Sequence, residues 1–181
     1  MKDLQETEKR LEEIRSEPGA WLAQANYLKI SAGVILLEWE KVRKHPYALR
    51  MMQKEMVAYS QAFMLLTALA FENLFKGILY GRDPNNKLAR TKGGHGISQM
   101  AGGITNLVAD ESDLFERLER YLIWAGRYQI PMTAQAFLDQ SEGKISIRID
   151  DPERIGGLFE SFISIMNEES TKRKQQSEPS N

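Results

Sequence analysis

From Ala62 to Tyr80 the chain is apolar on nearly every side of a helix, within a segment, residues 47 to 80, dominated by Met, Ala, Leu and Phe. These residue types are tolerated or favoured in helices. A helix that is apolar all round has to be covered all round. The segment is therefore expected to be the central helix of an all-α bundle. Pro46 can sit in its first turn. Gly81 and the turn-forming RDPNN that follows should end it.

The flanking sequence supplies the covering helices. Trp21, Ala25, Leu28, Ala32, Ile35, Trp39 and Val42 recur in steps of four and three, one continuous helical stripe. A shorter helix is expected over residues 97 to 107, weakened by Gly102 and Gly103. Another, capped by Asp110 or Ser112, should run to about Ala125 with Leu114, Leu118, Tyr121, Leu122 and Ala125 inward. A last helix, capped by Asp151 with Pro152 at its first position, carries Ile155, Leu158, Phe159, Phe162, Ile163 and Met166. Ile145, Ile147 and Ile149 alternate with polar residues, which suggests a short extended arm near residues 144–149. The expected organisation is a charged N-terminal helix over residues 1–16 with a thin seam of Leu4, Leu11 and Ile14. A single-domain bundle of about five helices follows over 17–169, then a polar, disordered tail over 170–181.

Composition excludes several function classes. At 181 residues, 42% hydrophobic and 27% charged, the chain suits one globular domain. Its net charge of −1 gives no global attraction to nucleic acid, so any such site must be a local patch. The absence of cysteine excludes disulfides, thiolate zinc sites and cysteine nucleophiles, and fits a reducing cytoplasm. The charged N-terminus does not read as a signal peptide. The apolar stretch AFMLLTALAF is short beside the roughly 20 residues of a membrane span, so no membrane partner is expected. No His-x-x-x-His or Glu-x-x-His spacing points to a metal, and no nucleotide fingerprint or nucleophile elbow points to a cofactor.

Candidate site residues come from polar groups in apolar surroundings. Glu72, Asn73 and Lys76 interrupt ALAFENLFKGILY, and Glu72 and Lys76 lie one turn apart on one face. They read either as a rim stripe with one ion pair or as a polar pocket. Arg127 and Tyr128 follow Gly126 where the chain reverses. Arg127 reads either as a partner of Glu72 or as a helix-end arginine satisfying carbonyls. The stretch LARTKGGHGISQM holds His95 between glycines, with Arg90 and Lys92 before it. His95 reads either as the start of a short helix or, with Arg90, Lys92 and exposed backbone N–H groups, as an anion site. His45 fits a helix C-terminus, where it meets the dipole.

ALAFENLFKGILYG, the basic loop into GHGISQM and the helix ending WAGRY together resemble the HEPN-like helical proteins (higher eukaryotes and prokaryotes nucleotide-binding). The resemblance spans residues 20 to 165 as architecture. That family has a long helix with a Glu-x-x-x-Lys element and then a loop with a histidine, matched here by Glu72, Lys76 and His95. Its nuclease members carry an Arg-x(4–6)-His motif, matched by Arg90 and His95. Thr91, however, stands where the catalytic version has a polar Asn, Asp or His. The resemblance implies RNA or nucleotide binding by a homodimer, with metal-independent RNA cleavage. The 2′-OH would attack its own phosphate, His95 would exchange protons and Arg90 would stabilise the phosphorane. The alternative is a non-catalytic helical interaction or dimerisation module whose polar cluster is structural. A third class, a small-ligand pocket between helices, requires an apolar cavity next to Glu72.

Overall fold

The computed structural model describes residues 2–15, 17–46, 52–90, 96–125 and 147–177. They form six helices and no strand: α1 (Lys2–Arg15), α2 (Pro18–Arg43), α3 (Gln53–Arg82), α4 (Ile97–Ile104), α5 (Ala109–Arg120) and α6 (Asp151–Ser177). A π-helical turn, Tyr121–Ala125, continues α5. The chain is an all-α helical bundle.

α3 is the central helix. Its buried residues run from Phe63 to Gly81 and face α2, α4, α5 and α6 in turn. By length and composition α3 is also apolar enough to cross a membrane, a reach that the ten-residue reading of its apolar stretch underestimates. In the bundle, however, 67% of its most apolar window is buried against other helices. α3 starts at Gln53, so Pro46 lies in a turn well ahead of it rather than in its first turn.

α2 packs along α3 with the stripe its periodicity predicts. Ala25, Ala32, Trp39 and Val42 are buried, and Trp21, Leu28 and Ile35 are half-buried. Trp21 stacks on Tyr80 with ring centroids 5.6 Å apart, and its indole N–H donates to the Arg15 carbonyl at 2.7 Å, which ties the end of α1 to the bundle. Beside that stack, a Cβ on Gly77 would stand 2.7 Å from Met166 Cε and 2.8 Å from Trp21 Cβ. Glycine is what lets α2, α3 and α6 meet there.

Five phenylalanines from three helices lock the centre. Phe71 meets Phe75, Phe115, Phe159 and Phe162 at centroid distances of 5.5, 5.2, 5.4 and 6.4 Å, mostly edge to face. Such pairs add about 0.5–1.5 kcal/mol each beyond area burial.

Two local expectations are corrected and a third is described only in part. α5 begins at Ala109 behind Val108, and neither Asp110 nor Ser112 is its cap. The Glu111 carboxylate reaches back to accept from the Val108 N–H at 3.0 Å, which satisfies one helix-end donor without a capping hydroxyl. Of the arm expected at 144–149, residues 147 and 148 lie outside any helix and residue 149 opens a turn over 149–150, while residues 144–146 lie outside the described residues. The tail expected to be disordered from residue 170 continues α6 as helix through Ser177. Ser170 and Thr171 hydroxyls donate to the carbonyls of Met166 and Asn167 four residues back, so both side chains are satisfied on the helix itself.

Candidate functional site

Of the residues singled out from sequence, Glu72, Asn73, Lys76 and Arg90 are described, as is His45, whose N–H donates to the Val42 carbonyl at 3.0 Å just past the end of α2. Lys92, His95, Arg127 and Tyr128 lie outside the described residues. α3 brings the first three together. The Lys76 ammonium donates to Glu72 Oε1 at 2.6 Å, with the Glu72 side chain 7% and the Lys76 side chain 19% exposed. The pair is thus inside the bundle rather than on a solvated rim. Asn73 Nδ2 donates to the Leu69 carbonyl one turn back at 2.7 Å, spending its amide on its own helix.

Arg90 ends the turn after α3, and its guanidinium pairs with Glu12 of α1 at 3.0 Å. That pair joins the N-terminal helix to the loop. The anion site expected beside it also has a competitor. Gly96, at the N-terminus of α4, offers no capping side chain, and Glu119 of α5 supplies the missing acceptor: its Oε2 takes the Ser98 N–H at 3.1 Å. A carboxylate therefore already occupies the helix end that a phosphate would use.

Among the described residues the densest polar cluster lies elsewhere, on α5 and the start of α6. Arg117 of α5, 1% exposed, lies fork to fork with Asp151, fully buried at the start of α6. Nη1 donates to Oδ2 at 2.6 Å and Nη2 to Oδ1 at 2.7 Å. Asp151 Oδ2 also accepts from the Arg148 N–H at 2.7 Å, which shapes the turn into α6. On the other side Arg117 Nε donates to Asp113 Oδ2 at 3.1 Å, and Arg148 Nη1 pairs with the same oxygen at 2.9 Å. Burial works against the Arg117 charge, but the hydrogen bonds and charges of Asp151 and Asp113 outweigh it and hold its pKa above the ordinary value. Burial pushes the neighbouring Tyr121 phenol up to about 12, a rise opposed by Arg117 and aided by Asp151.

A signal for this cluster was present. Arg117 stands three residues after Leu114 and four before Tyr121, on the same line of α5 that buries both. A charge on a core line needs a buried partner.

The cavity between α2, α3 and α6 holds about 130 Å³ and is lined by Lys29, Ala32, Leu36, Phe63 and Phe159 among others. Glu72 does not line it. Among the described residues no group of His, Asp and Glu gathers to hold a metal ion. Comparison of the chain with family models, with curated proteins and with solved structures finds no match.

Proposed function

We propose that this chain is a non-catalytic helical interaction module whose polar clusters hold the fold together. One observation carries the reading. On the side of α2 opposite its buried stripe, Tyr27, Ile30, Val34 and Leu37 are 67, 65, 57 and 62% exposed, spaced three, four and three apart. Single exposed apolar residues are normal on a protein surface, but four large ones in line are what one helix presents to another.

The polar groups support the same conclusion by how they are used. Arg117 and Asp151 are sealed in the interior, Lys76 is spent on Glu72, Arg90 on Glu12, and the α4 N-terminus on Glu119. RNA cleavage by Arg90 and His95, which the HEPN-like resemblance implies, would require Arg90 to leave Glu12 for a phosphate.

Two measurements test the proposal. Val34→Lys with Leu37→Lys should keep native helical content and cooperative unfolding, since surface changes away from the core are worth within about 0.5 kcal/mol. Loss of folding in that variant would mean that the stripe belongs to the chain's own core. Mixed RNA incubated with the protein in EDTA should stay intact. Cleavage leaving 2′,3′-cyclic ends, lost in Arg90→Ala, would overturn the module reading.

A further inference from the structure

We infer that the outward face of α2 is where two copies of this chain associate, with the two α2 helices antiparallel about a two-fold axis at the level of Ala32. This rests on the module reading and names its partner.

The stripe extends beyond its four large residues as a heptad pattern. Ala20, Ala23, Tyr27, Ile30, Val34, Leu37, Lys41 and Lys44 follow alternating steps of three and four, and Ala25, Ala32 and Trp39 on the opposite side are buried. A seam of period 3.5 is the pattern by which helices pack side by side over several turns. From Ala20 to Lys44 it is about 36 Å long at 1.5 Å per residue. The described part of the chain leaves this seam open to solvent.

The seam is complementary to itself only when one copy is reversed. An antiparallel pair centred at Ala32 sets Ile30 against the partner's Val34 and Tyr27 against the partner's Leu37. It also lays Lys41 and Lys44 over the partner's Ala23 and the partner's Ala20. Alanines leave room for the lysine stems, and the ammonium heads can stay in water. Lys41 and Lys44 bring their own counter-charges, pairing with Glu38 at 2.6 Å and Glu40 at 2.8 Å. Beside the seam, Glu38 and Glu40 then face the partner's Gln24 and the partner's Asn26, with no like charges opposed.

A parallel pair in register would instead set Lys41 against the partner's Lys41 and Lys44 against the partner's Lys44, a like-charge arrangement that costs stability. At the centre of the crossing the flanking residues are Ser31 and Gly33. A Cβ on Gly33 would meet nothing within 4 Å, so that glycine is not required by packing inside the chain. Small residues there let two helix backbones approach closely.

The chain contains no cysteine, so introduced thiols report on orientation directly. Sedimentation at roughly 100 µM, where a pair with a Kd near 10 µM is mostly associated, should show a dimer. Val34→Lys with Leu37→Lys should weaken it at least tenfold while helical content is retained. Tyr27→Cys mixed with Leu37→Cys should cross-link under oxidation, and Tyr27→Cys alone should not. A wild-type monomer, a dimer indifferent to the lysine substitutions, or self-cross-linking of Tyr27→Cys would each overturn the antiparallel α2 pair. A monomer that cleaves no RNA overturns the pairing alone, whereas RNA cleavage overturns the module reading itself.

Discussion

Arg117 and Asp151 meet fork to fork where neither touches solvent, joining α5 to the first residue of α6 across 34 positions of sequence. The planar guanidinium satisfies both carboxylate oxygens at once, a geometry lysine cannot reproduce. Removing one partner strands the other charge in the core. Arg117→Met is therefore expected to cost about 3–5 kcal/mol in urea unfolding. Replacing both residues by apolar ones of similar volume should cost less than the sum of the single changes, because no stranded charge remains. Additive losses would mean that the two side chains act independently.

Tyr121 gives the protein an alkaline limit. Its phenol, ordinarily near 10.0, is raised to about 12 in the folded chain, chiefly by burial. A raised folded pKa means stability fully present below the unfolded value and lost as pH rises. From about pH 10 the unfolded chain sheds the proton that the folded chain still holds, and the loss continues until the folded phenol ionises near 12. A two-unit difference corresponds to about 2–3 kcal/mol. Urea midpoints measured between pH 9 and 12 should fall in wild type and fall less in Tyr121→Phe. Parallel curves for the two proteins would remove Tyr121 as the cause.

Glu72 tests whether the polar stripe of α3 contributes to folding. A hydrogen bond to a charged group contributes about 1.5–3 kcal/mol when its surroundings are dry, and the Glu72 side chain is only 7% exposed. Glu72→Ala should lose stability in that range. Lys76, at 19% exposure, keeps some access to water, so the loss should stay below that of a wholly sealed pair. A change under about 0.5 kcal/mol would put the pair in the class of ordinary surface ion pairs.

The helices were legible because their signals are periodic and local. The α2 stripe and the apolar run of α3 each repeat over several turns, and burial follows them residue by residue. Ends were harder to place. Val108 was unrecognisable as a cap because the capping atom belongs to Glu111, and α4 is capped by Glu119 from another helix. The polar cluster was the least legible part. Glu72 and Lys76 meet through helix spacing alone, whereas Arg117 and Asp151 meet only once α5 and α6 have packed. The outward face of α2 is less legible than the inner one because the two stripes interleave: Tyr27, Ile30, Val34 and Leu37 sit between the very residues that mark the inner face.

Two glycines should respond to alanine with opposite signs. In a helix interior Gly→Ala ordinarily stabilises by about 1 kcal/mol, because alanine restricts the unfolded backbone. Gly157 in α6 is exposed, and a Cβ there meets nothing within 4 Å, so Gly157→Ala should show that full gain. At Gly77 the same methyl would stand 2.8 Å from Trp21 Cβ, an atom next to the α2 backbone. The Met166 methyl, 2.7 Å away, can swing aside, but Trp21 moves only if α2 moves with it. Overpacking of this kind costs about 1–3 kcal/mol. The clash outweighs the propensity gain, and Gly77→Ala should lower the melting temperature while Gly157→Ala raises it. If Gly77→Ala also raised it, the close approach of α2 and α6 to α3 at this position would be wrong.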